Sequence, residues 1–222
     1  MIINNKYKFI FIHIPKNAGT SITNYFSNFN TPIDIEIGAT KIGELLQSEY
    51  ISRYGLSKHS TASKVAEILA NDWNAYYKFA VVRDPYERFY STYYFLRNWN
   101  GPNVEFTNKI NKFQDINEFI SSNFISENSI PDNLFNTQTS YLYSDTNQLM
   151  VDYLIKFEEL DTGVTYLLDK FELKNKDIKI QHVNKTEKPT NAGLPNFSDK
   201  SIEWINSFYS VDFEKLEYQK QV

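Results

Sequence analysis

An α/β fold, with a mostly parallel central sheet flanked by helices on both faces, is predicted by three stretches of this sequence. Residues 8–14 (KFIFIHI) are β-branched or aromatic at nearly every position, the composition of a strand covered on both sides. Tyr77–Val82 (YKFAVV) and residues 151–157 (VDYLIKF) repeat that character. Each of the three is followed by a segment of helical periodicity, the alternation that builds a parallel sheet.

In chain order, the first strand ends at Pro15, and after the turn PKNAG, residues 20–29 place Ile22, Tyr25, Phe26 and Phe29 at helical spacing. Helices are expected near residues 41–50 and 61–71, the latter carrying the apolar stripe Val65, Ile68 and Leu69, with His59 in the short loop between them. After Tyr77–Val82, Asp84 suits an N-cap and Pro85 a first helical position, so a helix is expected from Pro85 to about Asn98. The polar residues 99–112 predict a loop. Asp115 to Glu118 resembles a capping box ahead of Ile116, Phe119 and Ile120. Beyond the strand at 151–157, an amphipathic stretch covers 158–171, a short fourth strand is expected at 178–183, and a Pro- and Gly-containing surface loop at 185–198. Residues 199–216 have helical periodicity through Ile202, Ile205 and Phe208.

The length of 222 residues fits one domain, taken as residues 1–222, with a core large enough to need neither metal nor disulfide. Hydrophobic residues make up 41% of the chain, with 16 Tyr and 17 Phe against 7 Gly and 7 Pro, which excludes a disordered or fibrous polypeptide. A net charge of −4 advertises neither nucleic acid nor an anionic membrane as a partner. Cysteine is absent, so disulfides and thiolate chemistry are excluded. The opening residues 1–8 are polar where a signal peptide needs its apolar centre, and no span or anchor is visible, so a cytoplasmic location is expected.

Ligands of such sheets bind at the carboxyl ends of the strands, where residues 15–20, Arg83 and Asn184 fall. The loop Pro15-Lys16-Asn17-Ala18-Gly19-Thr20-Ser21 joins a buried strand to a helix. It can aim backbone N–H groups and the positive end of the helix at an anion, with Gly19 permitting close approach and Thr20 and Ser21 adding hydroxyls. It does not match G-x-x-x-x-G-K-[ST], because its lysine precedes the glycine. The alternative is a plain turn with a solvated lysine. In the second candidate, Arg83 offers a planar fork of donors to a phosphate, and Ser91, about two helical turns on, is placed to reach the same anion. The competing possibility pairs Arg83 with Asp84 or Glu87 and leaves Ser91 as helix filler. Two anion sites at neighbouring strand ends imply a ligand with two separated phosphates.

On these residues the sequence resembles a known family. FIHIPKNAGTSI is similar to the 5′-phosphosulfate loop, and FAVVRDPYERFYS to the 3′-phosphate segment, of the sulfotransferases that use 3′-phosphoadenosine 5′-phosphosulfate (PAPS), in particular the carbohydrate group that includes heparan 2-O- and chondroitin enzymes. The resemblance implies a P-loop-like sulfotransferase fold. It implies that Lys16 holds the bridging and sulfuryl oxygens, and that the amides of Asn17, Ala18, Gly19 and Thr20 with the hydroxyls of Thr20 and Ser21 hold the 5′-phosphate. Arg83 and Ser91 would then hold the 3′-phosphate. The Lys58-His59-Ser60 segment falls where the family carries a histidine before a helix, implying His59 as general base, with His13 and His182 structural. Segments FNTQTSYL, YLIKFEEL and HVNKT also look like the family; the last, with Asn184 and Lys185, precedes a loop that closes over the nucleotide, and residues 208–218 resemble its terminal helix.

The implied reaction moves a sulfuryl group from PAPS to a hydroxyl of a carbohydrate acceptor, leaving adenosine 3′,5′-bisphosphate, with no metal. The lack of cysteine and of an anchor sets the chain apart from many eukaryotic members and resembles a soluble microbial or viral one. Residues 99–129 give no match that identifies acceptor contacts. Two competing functions are a nucleotide-dependent kinase of the P-loop type, disfavoured by the missing G-K-[ST], and an inactive sulfotransferase fold that binds carbohydrate, disfavoured by the intact set Lys16, Thr20, His59, Arg83 and Ser91.

Overall fold

A computed structural model describes residues 1–99, 104–130, 133–173 and 196–222. The chain divides into two compact units, one formed by residues 1–83 and 138–184 and the other by residues 84–137 and 185–222.

The first unit is built on a five-stranded sheet. Its strands are β1 (Ile2–Asn4), β2 (Phe9–Ile12), β3 (Ile35–Glu36), β4 (Tyr77–Val82) and β5 (Tyr153–Lys156), in the order β3-β1-β2-β4-β5. The parallel part is β2–β4–β5, in register through Phe11 with Phe79 and Val81 with Ile155. On the other side β1 runs antiparallel to both β2 and β3. The sheet is therefore mixed, where the sequence predicts a mostly parallel one. The cause is local: only a four-residue turn links β1 to β2, with Lys8 in a left-handed conformation (φ 56°) and the Tyr7 N–H donating to Asn4 Oδ1 at 2.7 Å. A connection that short can join only antiparallel neighbours.

The apolar run of β2 is buried on both faces. Phe9 and Phe11 lie in one cluster with Phe79, Val81 and Ile155, covered by helix α1 (Gly19–Phe26) through Ile22, Tyr25 and Phe26. Further along the chain come helices α2 (Lys41–Tyr54) and α3 (Ala62–Leu69), the latter capped by Thr61 Oγ1 accepting from Lys64 N–H at 3.1 Å. On the opposite face of the sheet Ile10, Ile12, Ala80 and Val82 are also buried.

In the second unit, helix α4 (Pro85–Arg97) starts as its sequence predicts. Asp84 Oδ1 accepts from the N–H groups of Tyr86 (2.9 Å) and Glu87 (3.1 Å), and Pro85 occupies the first turn, where no N–H is needed. Residues expected to form a loop instead contain helix α5 (Val104–Ile110), whose Phe106 and Ile110 are one turn apart and both buried. Helix α6 (Ile116–Ser121) is capped by Asp115, with Glu118 reaching back to the N–H of Gln114 at 2.6 Å, and a single turn α7 (Phe124–Glu127) follows. The aromatic core of this unit gathers Phe89 and Tyr93 of α4 with Phe119 and Phe135. The buried Arg88 ties the same region together by donating to the carbonyls of Asn136 (2.8 Å) and Leu134 (3.1 Å).

Returning to the first unit, the single turn α8 (Thr139–Leu142) precedes β5, and helix α9 (Leu160–Lys170) follows it. α9 completes the cover over Phe9 and Phe79 with Val164, Leu167 and Leu168. It lies close on the sheet because residue 163 is glycine: a Cβ there would meet Ile155 Cγ2 at 2.5 Å. The expected fourth strand at 178–183 lies outside the described residues, as does most of the expected loop at 185–198. The final helical stretch is divided into α10 (Asp199–Phe208) and α11 (Ser210–Lys215) at Tyr209, whose hydroxyl donates to the Phe135 carbonyl at 2.9 Å. Among the described residues, no helix is long and apolar enough to cross a membrane.

Candidate functional site

Because β2 and β4 are adjacent and parallel, their carboxyl ends open side by side. The segment leaving β2 turns through two left-handed residues, Lys16 (φ 65°) and Ala18 (φ 58°), before α1 begins at Gly19. Neither is glycine, and non-glycine residues held there cost about 1–2 kcal/mol each, a strain concentrated at ligand-binding loops. Ala18 gives the helix no side-chain cap, and the first intrahelical bond runs from Ile22 N–H to Ala18 C=O at 3.1 Å. The amides of Gly19, Thr20 and Ser21 therefore head the helix, where its dipole favours an anion. Thr20 is half-buried and Ser21 buried.

Gly19 is needed for a reason the sequence does not reveal. A Cβ at this position would overlap the His13 ring, 1.8 Å from its Cδ2 and 1.9 Å from its Nε2. The helix thus begins pressed against a buried histidine.

Arg83 stands at the end of β4, and its Nη1 donates to the Lys16 carbonyl at 3.3 Å, while its guanidinium lies over the Phe157 ring at 4.3 Å. The Lys16 ammonium is pushed down to about 8, first by burial and then by the nearby Arg83 charge. Two cations are thereby gathered around one strained, electropositive loop, and a bound anion would relieve their mutual repulsion.

His59 occupies a tight turn between α2 and α3, in which Ser57 N–H donates to Ser60 Oγ at 2.8 Å. Its Nδ1 lies 2.8 Å from the His13 carbonyl oxygen. A carbonyl can only accept, so Nδ1 carries the proton, and Nε2 is the basic nitrogen of the neutral ring. The His13 ring meets His59 edge-on at 4.7 Å and stacks on Phe11 at 5.7 Å. Burial, reinforced by the nearby positive charges of the amino terminus, Lys58 and Lys16, holds His13 well below the ordinary histidine range, so it remains neutral. His13 thus acts structurally: its ring packs against Gly19, and its backbone carbonyl orients His59.

The first unit thus brings together Lys16, Gly19, His59 and Arg83 of the predicted set. Asn17 was expected to contribute its amide; in addition, its buried side chain donates to Val81 C=O (2.8 Å) and to Gln138 Oε1 (2.7 Å). Gln138, which received no role from the sequence, also accepts from Arg83 N–H (2.9 Å) and donates to Arg83 C=O (2.8 Å). It lies in the FNTQTSYL segment, but nothing in the local pattern distinguishes it from its neighbours. Ser91 belongs to the second unit, buried on α4. Asn184, Lys185 and His182 lie outside the described residues. Among the described residues no group of three or more His, Asp or Glu could hold a metal ion.

No curated protein and no solved structure matches the chain. A family model described as "Sulfotransferase family" matches residues 1–219, through both units.

Proposed function

The chain belongs to the sulfotransferase family, and from that premise we propose that it transfers a sulfuryl group from PAPS to a carbohydrate hydroxyl, with His59 as general base. The observation that carries the donor assignment is the meeting of Arg83 with the Lys16 loop, Nη1 to carbonyl at 3.3 Å, at the ends of adjacent parallel strands. A nucleotide with phosphate groups at both ends of its ribose needs two cationic positions of this kind. The desolvated Lys16, the left-handed loop and the helix start without a side-chain cap fit the phosphosulfate end.

PAPS, when bound, supplies the sulfuryl group on a phosphate leaving group. The rest is the work of the chain. Lys16 opposes the charge that builds on the bridging and sulfuryl oxygens, and being partly desolvated it does so in a medium where charge is poorly screened. The amides of Asn17, Ala18, Gly19 and Thr20, with the Thr20 and Ser21 hydroxyls, hold the 5′-phosphate. Arg83 takes the 3′-phosphate; Ser91 keeps the same assignment, and Asn184 and Lys185 a nucleotide-binding one, on the sequence pattern. His59, with Nδ1–H donated to the His13 carbonyl, presents Nε2 to accept the proton of the acceptor hydroxyl as it attacks. Carbohydrate as acceptor rests on the resemblance to that group of the family.

The test is a comparison of affinities for adenosine 3′,5′-bisphosphate, adenosine 5′-monophosphate and ATP, followed by transfer from labelled PAPS to a panel of polysaccharides. The expected order places the bisphosphate first, with Arg83→Ala removing that preference. Tighter binding of ATP would overturn the donor assignment in favour of phosphoryl transfer, and label transferred only to non-carbohydrate hydroxyls would overturn the acceptor class.

A further inference from the structure

We infer that Gln138 is a positioning residue that couples the two halves of the donor site, an inference that rests on the reading of Lys16 and Arg83 as donor-binding groups. β4 ends at Val82, the last residue in register with β5. The backbone of Arg83 therefore lies just beyond the ladder, where its N–H and C=O need other partners. The fully buried Gln138 supplies both with one side-chain amide: Oε1 accepts from Arg83 N–H at 2.9 Å and Nε2 donates to Arg83 C=O at 2.8 Å. This is the pair of bonds a neighbouring strand would make.

The same Oε1 accepts from Asn17 Nδ2 at 2.7 Å, and that nitrogen also donates to Val81 C=O at 2.8 Å. The orientation of both amides follows from the chemistry. Val81 C=O and Arg83 C=O only accept, so each must face an NH2 group, which leaves Gln138 Oε1 for the two donors that point at it. Asn17 follows Lys16 directly, so one buried side chain fixes the backbone on which Arg83 stands and the residue next to Lys16. Gln138 would touch no ligand; its effect passes through these two neighbours.

Gln138→Met keeps the length of the side chain and deletes all three bonds. The expected result is a loss of affinity for adenosine 3′,5′-bisphosphate of about tenfold, because the Arg83 N–H and C=O, unpaired where they stand, shift toward other partners and carry the guanidinium out of place. A purely structural residue could lower affinity too, so the deciding measurement is a double-mutant cycle with Arg83→Ala, read as the dissociation constant of adenosine 3′,5′-bisphosphate at a temperature where near-UV circular dichroism finds each variant folded. If Gln138 acts by placing Arg83, Gln138→Met costs several-fold less in the Arg83→Ala background than in the wild type. Additive losses would overturn the positioning role. Should Gln138→Met fail to fold, Asn17→Ala, which deletes one bond to Gln138, replaces it in a cycle with Lys16→Ala under the same criterion. A wild-type chain with no affinity for the bisphosphate would overturn the donor reading itself and this role with it, an outcome distinct from additivity because it appears before any substitution is made.

Discussion

The ring of His59 hangs from the backbone of His13, Nδ1 to carbonyl oxygen at 2.8 Å, and that single bond decides which nitrogen of His59 is basic. Replacing the side chain of His13 leaves the carbonyl in place, whereas replacing His59 removes the proposed base. His59→Ala is expected to lower turnover by about 10²–10⁴-fold, the usual worth of a positioned base, with affinity for adenosine 3′,5′-bisphosphate within about twofold of wild type. Single-turnover transfer from labelled PAPS and calorimetric titration measure the two quantities; unchanged transfer would remove His59 from the mechanism.

Lys16 predicts opposite pH trends for stability and binding. Its value near 8 in the folded chain lies below the ordinary 10.5, so between those limits the unfolded chain binds more protons. Stability of the ligand-free protein should accordingly rise with pH across that window. Anion binding needs the charged ammonium, so affinity for the bisphosphate should be level from about pH 7, where its phosphates are fully ionised, to about pH 8, and fall by up to about tenfold per pH unit above it. Lys16→Arg keeps its charge throughout and should abolish both slopes. Persistence of the binding slope in that variant would assign it to another group.

The contact between His13 and Gly19 can be tested by stability alone. Gly19→Ala sets a methyl group within 2 Å of the imidazole, and overpacking of this kind costs about 1–3 kcal/mol. His13→Ala removes the obstruction, so the double variant should be more stable than the sum of the two single losses predicts. Urea denaturation of the four proteins closes the cycle. Strict additivity would mean that the start of α1 does not depend on this contact.

In the second unit, Asp84→Ala deletes the cap that accepts from Tyr86 and Glu87. A destabilisation of about 0.5–2 kcal/mol is expected, while Asp84→Asn and Asp84→Ser should retain most of the stability because each keeps a capping oxygen. Thermal unfolding of the three variants gives the ranking.

Much of the scaffold was legible because its signals are local. Tyr77–Val82 and the Asp84-Pro85 helix start are found where the sequence places them, since each is specified by a run of apolar residues or by adjacent capping chemistry. Strands β1 and β3, with three and two residues, are too short to show a period, and β3 is only half-buried. Helix α5 was hidden by polar residues around its two buried positions, Phe106 and Ile110. At the candidate site, Lys16, His59 and Arg83 stand out in the sequence because each sits in a segment with a recognisable pattern. Gln138 and the His13–Gly19 contact do not, because their partners are distant in sequence or meet only through the turn of the loop. A buried amide that bonds to backbone leaves no periodic trace.

The parallel strands also bear on how the protein is assembled. Phe9 pairs with Tyr77 and Phe79 with Tyr153, so each pairing closes a long stretch of chain before it gains anything in return. Lys16 and Arg83 cannot meet until the first of these has formed. Nucleotide added to refolding protein should therefore raise the final yield by mass action on the finished sheet, while leaving the rate of its formation unchanged.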